Sequence, residues 1–181
     1  MRKTLKVDLH THCGEATRAV MPNESLVARI IETARAKGLD GMAITEHWSA
    51  TFAKAFDSIM RENFTNEDFL FIPGREIQES YDTHIVELFL PDGTTFAFLA
   101  HPRRLKLVEG IRGVELENNM NGVPAKEAVS DFARANNLAI LRNSDAHSLD
   151  DIGTFYNDLL VDTATGEWFL EGVDGTPIRI L

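Results

Sequence analysis

Cysteine is nearly absent: Cys13 stands alone among 181 residues. No internal disulfide can form, so the fold does not depend on an oxidising compartment. A long apolar run is absent too, which excludes a membrane-spanning helix. The N-terminal stretch "MRKTLKVDLH" is charged but lacks the apolar core of a secretory signal, so a cytoplasmic location is expected. Positive charge is scarce: 18 Lys and Arg face 28 Asp and Glu, for a net charge of −10. That balance disfavours extended nucleic acid, which needs a basic surface. A small anionic substrate stays open, because bound metal ions neutralise the acids that hold them. There is no repeat, low-complexity tract or long linker. The length suits a single domain over 1–181, with 163–181 a C-terminal extension of turns and a short strand.

What is present alternates between strand and helix. Candidate strands are 5–10, 41–47, 69–77, 84–90, 95–101, 113–118, 138–144 and 158–162, rich in β-branched and aromatic residues and bounded by Gly, Pro, Asn or Asp. In "PNESLVARIIETARAKG", Leu26, Val27, Ile30, Ile31 and Ala34 recur at helical spacing, with Asn23 or Ser25 as cap and Gly38 as stop. Residues 49–64 and 124–137 read the same way, and "SLDD" (148–151) is expected to open a further helix capped by Ser148. The alternation implies a mainly parallel sheet. The exception is 84–101, where "PDGT" joins two strands as a hairpin. Seven or eight short strands in one domain fit a small, distorted β/α barrel.

The six histidines are His10, His12, His47, His84, His101 and His147. Four candidate strands end in or near one, and "LFIPGRE" ends in Glu76. C-terminal strand ends of a parallel barrel converge on one face. His84 starts its strand, but that strand is the descending arm of the hairpin and so begins at the same face. Side chains at i and i+2 of a strand point the same way, which pairs His10 with His12 and Asp145 with His147. Such a donor set suits Zn, Mn or Fe, and paired ions are the usual basis of phosphoester hydrolysis.

The motifs "DLHTH" (8–12), "ITEH" (44–47), "PGREI" (73–77), "HIVELF" (84–89), "AHPRR" (100–104) and "NSDAH" (143–147) together resemble the PHP (polymerase and histidinol phosphatase) family of metal-dependent phosphoesterases. The resemblance implies a distorted seven-stranded β/α barrel with two or three divalent ions at the C-terminal strand ends. It makes His10, His12 and Asp145 ligands of a first ion, Glu76 a bridge to a second, and His84 and His101 the second ion's further ligands. His47 and His147 would serve a third. This chain departs from the family in three ways. The His or Asp usually found five or six residues after the H-x-H pair is replaced by Thr17 and Arg18; either Glu15, the nearest carboxylate, substitutes, or the third site lacks a ligand and the cluster is dinuclear. "TEH" stands for the more frequent "TDH", giving Glu46 no evident role. The 84–101 segment is short, which implies a simple, open pocket.

The expected reaction is hydrolysis of a small phosphorylated substrate by metal-activated hydroxide, with Asp145 orienting the hydroxide or passing a proton to the leaving group. Arg103 and Arg18 are candidate phosphate contacts, each against a solvated surface role. Asp8 is expected to orient an imidazole. Trp48 is expected in the core, with pocket wall as the alternative, and Cys13 in a buried loop rather than on a metal. Asn118 is open between substrate contact and structural cap. Competing functions are an amidohydrolase-type C–N or ester hydrolase and a non-catalytic metal-binding PHP module.

Overall fold

The computed structural model describes residues 1–66, 68–119 and 124–181. Among them, ten strands form one sheet: β1 (Arg2–Asp8), β2 (Gly41–Ile44), β3 (Leu70–Ser80), β4 (Thr83–Phe89), β5 (Thr95–Ala100), β6 (Ile111–Glu117), β7 (Ala139–Arg142), β8 (Asn157–Asp162), β9 (Trp168–Glu171) and β10 (Pro177–Arg179). Their order is β10-β9-β8-β1-β2-β3-β4-β5-β6-β7. Pairs β1–β2, β2–β3, β5–β6 and β6–β7 are parallel, whereas β4 runs antiparallel between β3 and β5. The expected hairpin is therefore present, and His84 starts the descending strand beside Gln78 and Ala100.

The sheet curls into a nearly closed barrel. At one end the backbone beyond β1 meets the backbone beyond β7, through a Thr11–Ala146 bridge and the Asp145 N–H donating to His10 O at 2.9 Å. At the other end β8 and β9 fill the gap, with an Ala139–Gly172 bridge. Asn157, the first residue of β8, stitches that strand to the end of β7: its side chain accepts from the Arg142 N–H at 2.8 Å and donates to Arg142 O at 2.9 Å. The count of ten strands corrects the expected seven. The alternation Trp168, Leu170 and, after a turn, Ile180 buries the C-terminal residues in the barrel interior, so they join the sheet.

Helices cover the parallel crossovers. The long ones are α2 (Glu24–Ala36), α3 (Thr51–Asn63) and α4 (Lys126–Asn136); a five-residue α1 (Cys13–Thr17) follows β1 directly. Asn23 caps α2 by accepting from the Leu26 N–H at 2.9 Å. Val27, Ile30, Ile31 and Ala34 of α2 pack with Phe52, Phe56 and Met60 of α3 against Met42 and Ile44. Val129 and Ala133 of α4 cover Val114 and Ile140. No helix opens at Ser148. Its hydroxyl donates to Asp151 at 2.7 Å in a turn, and Gly153 follows at φ +73°. The short polar side chain satisfies a turn rather than a helix start.

Candidate metal centre

The C-terminal ends of β1, β2, β3, β5 and β7, with the start of β4, bring all six histidines together. Glu76 stands at the middle, almost fully buried, with its two oxygens facing different histidines. Oε1 lies 2.9 Å from both His84 Nδ1 and His101 Nε2. Oε2 lies 2.8 Å from His47 Nδ1, 3.6 Å from His12 Nε2 and 3.8 Å from His10 Nε2. Asp145 Oδ1 lies 3.2 Å from His12 Nε2, 3.4 Å from His10 Nε2 and 3.6 Å from His147 Nδ1. The His12 ring is stacked between those of His47 and His147, each with a centroid 4.4 Å away.

Donor atoms close enough to share an ion fall into overlapping sets: His10–His12–Glu76, His10–His101–Asp145, Glu76–His84–His101, His12–His47–His147 and His12–Glu15–Glu46. Glu76 belongs to two, as a bridging carboxylate must. Glu15 sits half-exposed, 3.6 Å from His47 Nε2 and 3.7 Å from His147 Nε2. All nine residues expected as ligands thus lie in one cluster.

The electrostatics suit cations. Among the described residues, His12 Nδ1, Glu76 Oε2 and Asp145 Oδ1 are buried without a hydrogen-bond partner. Orphaned buried polar atoms cost free energy unless something satisfies them, and a divalent ion does so. Burial works against ionisation of Glu76 and Asp145, yet the surrounding imidazoles hold both carboxyls far below the usual range. His47 is pushed upward by the Glu76 carboxylate beside it. Burial holds His12 down to about 4, so its ring stays neutral and fit to ligate.

Backbone geometry is unusual here. His101, Asp145 and Trp48 have φ of +25°, +51° and +64°. Non-glycine residues in this region carry about 1–3 kcal/mol of strain and cluster at functional sites. Each is tied down: His101 N–H to Glu115 at 2.7 Å, Asp145 N–H to His10 O at 2.9 Å, Trp48 N–H to Glu76 O at 2.7 Å.

The expectations for Asp8, Trp48 and Arg103 need correction. Asp8 touches no imidazole side chain; its carboxylate accepts from Ser144 N–H (3.1 Å), Ser144 Oγ (2.5 Å) and Gly153 N–H (2.9 Å), pinning the 144–153 loop. The orienting carboxylate is Glu115, 2.9 Å from His10 Nδ1, which the strand-end pattern passes over because it lies two residues inside β6. Trp48 is not in the core but 60% exposed, since its left-handed backbone turns it outward. Arg103 stacks over the exposed Tyr81 ring at 5.0 Å and is not among the residues lining the pocket above the cluster, which are His47, His84, His101, Asn119, Asp145, His147 and Asp151. Arg18 lines a neighbouring cleft with Glu15, Glu46 and His47. Asn118 donates to Glu115 at 2.9 Å, and Cys13 is buried beside Thr11 in the helix-side core.

A family model described as PHP-associated matches residues 125–174. Three solved structures share the fold. PsfC from Pseudomonas syringae PB-5123 is 16% identical over 89% of this chain and 82% of its own, with a TM-score of 0.59. A protein assigned provisionally as a metal-dependent phosphoesterase, from Bifidobacterium adolescentis, is 13% identical over 83% and 91%, with a TM-score of 0.59. An amidohydrolase from Chromobacterium violaceum, solved with sulfate and no metal, is 14% identical over 82% and 90%, with a TM-score of 0.55. No curated protein matches the sequence.

Proposed function

We propose, from the premise that this chain is a PHP-family protein, that it is a metal-dependent phosphoesterase acting on a phosphomonoester or small phosphodiester, nucleotides included. The observation that carries the reading is the trio of orphaned buried atoms at the centre of the histidine cluster. Uncompensated, these groups would oppose folding; together they describe a cavity shaped for cations. The two or three divalent ions, Zn, Mn or Fe, would supply a water of lowered pKa and neutralise charge on the phosphoryl oxygens.

The protein's own groups divide the remaining work. Glu76 and the imidazoles would hold the ions. Asp145, in contact distance of four histidines at the pocket wall, orients the attacking water or carries a proton to the leaving group. Glu115 holds the His10 ring so that Nε2 faces the centre. Arg18, rather than Arg103, is the retained phosphate contact, because its cleft adjoins His47. The whole chain is read as one PHP-like domain with a cytoplasmic site of action. No helix among the described residues is long and apolar enough to cross a membrane.

The second reading, an amidohydrolase-type hydrolase, draws on the likeness to the Chromobacterium protein. The chain, reconstituted separately with Mn, Zn and Fe, is assayed on aryl phosphates, nucleoside phosphates, N-acyl amino acids and carboxylic esters. Phosphoester turnover that chelation abolishes is expected, with Asp145→Asn slower by about 10²–10⁴-fold. Turnover of amides alone would favour the second reading. Bound ions with no turnover of any substrate would leave a non-catalytic module.

A further inference from the structure

Glu46 lies beside His47 at the end of β2, and its carboxylate is turned toward α1. Oε1 accepts from the Gly14 N–H at 2.6 Å, and the carboxylate also accepts from the Glu15 N–H. Those are first-turn amides of α1, which have no intrahelical partner. The residue at the helix's own cap position, His12, supplies no side-chain bond to them. Glu46 therefore caps α1 from a different part of the chain. Its main chain is anchored as well, since Glu46 O accepts from the Glu76 N–H at 3.1 Å.

Gly14 supplies an independent observation. A Cβ at this position would stand 3.1 Å from Glu46 Cδ, 3.1 Å from Glu46 Oε1 and 3.2 Å from Phe52 Cδ2, tighter than ordinary van der Waals contact. A side chain at this position would push the Glu46 carboxylate or Phe52 back by a few tenths of an ångström. The next residue is Glu15, whose side chain faces His47 and His147.

We propose that Glu46 is a positioning residue, whose hydrogen bonds to the first turn of α1 hold Glu15 in place to complete a third ion site with His47 and His147. The inference rests on the reading of Glu15 as a ligand. One rigid link then joins Glu76, His47 and Glu15, so that the site missing its usual acid is rebuilt by a carboxylate slightly earlier in the same segment after the H-x-H pair. Glu46 also lies close enough to His12 and Glu15 to compete as a ligand itself. The variants separate the two roles, because a glutamine still accepts the Gly14 hydrogen bond but binds ions poorly.

The full chain is stripped with chelator and titrated with Mn and with Zn by calorimetry. Bound ions are counted by plasma emission, and thermal melts check the fold. Wild type is expected to take three ions and Glu15→Gln two. Glu46→Ala and Gly14→Ala should bind the third about tenfold or more weakly, with the first two little changed. Glu46→Gln should keep the third within about threefold of wild type. Unchanged third-ion affinity in both Glu46→Ala and Gly14→Ala, with Glu15→Gln impaired, overturns the proposal. So does a Glu46→Gln defect as large as that of Glu15→Gln, which would make Glu46 a ligand. A Glu15→Gln protein with wild-type stoichiometry would instead remove the Glu15 reading beneath it.

Discussion

Glu115 shows how one buried carboxylate can organise a centre it does not enter. Its two oxygens take four donors: His10 Nδ1 at 2.9 Å and Asn143 Nδ2 at 2.7 Å on one, the His101 N–H at 2.7 Å and Asn118 Nδ2 at 2.9 Å on the other. Burial opposes its ionisation, but His10 and the remaining donors hold its carboxyl below the usual range. Glu115→Gln must aim an amide N–H at a donor, so a buried polar group goes unpaired. The expected losses are about 1–3 kcal/mol of stability and about 10–100-fold in metal affinity, read by denaturant melts and metal titration. Wild-type values in both would refute the role. Asp145 and the histidines were legible in the sequence because i, i+2 spacing and strand ends are local features. Glu115 was not, because three of its four partners, His10 included, lie 14, 28 and 105 residues away.

At the scale of elements, Glu117 ties three together. At the end of β6 it accepts from Lys126 in the first turn of α4 and from Arg142 Nε, at the end of β7, at 3.1 Å. The Lys126 hydrogen bond, ahead of the nearby charges, holds its carboxyl below the ordinary 4.5. A lowered folded-state pKa means the stabilisation is present above the unfolded value and fades as pH falls through the folded one. The site is near the surface, so the contribution is about 1 kcal/mol or less. Glu117→Gln should melt earlier than wild type at about pH 7 and together with it at about pH 3. An equal deficit at both would show that the charge is irrelevant. Helix α2 and its Asn23 cap could be read from periodicity and one polar residue. The misreading of "SLDD" shows the limit: the same Ser–Asp pairing that starts a helix also closes a turn, and only the chain's path past Gly153 decides between them.

For the whole molecule, the C-terminal residues complete the barrel. Trp168, Leu170 and Ile180 are buried among Val7, Leu159 and Leu141, and Arg112 donates to the carbonyls of Arg179 and Ile180. Trp168→Ala should cost about 3–5 kcal/mol, seen as a lowered unfolding midpoint. A shift worth less than about 1 kcal/mol would mean that the last strands pack only loosely on the barrel.

The sequence by itself determined the strands up to residue 162, the hairpin polarity that turns His84 to the face of the other histidines, and the gathering of six histidines with Glu76 and Asp145. Each of these follows from local periodicity and the direction of the chain. Only the tertiary structure decided that β8 and β9 close the barrel, that Glu115 rather than Asp8 orients His10, that Trp48 faces solvent and Arg103 lies on Tyr81, and that Glu46 reaches α1. Those facts depend on which distant groups are close enough to satisfy buried donors, acceptors and apolar surface, and no local pattern encodes that distance.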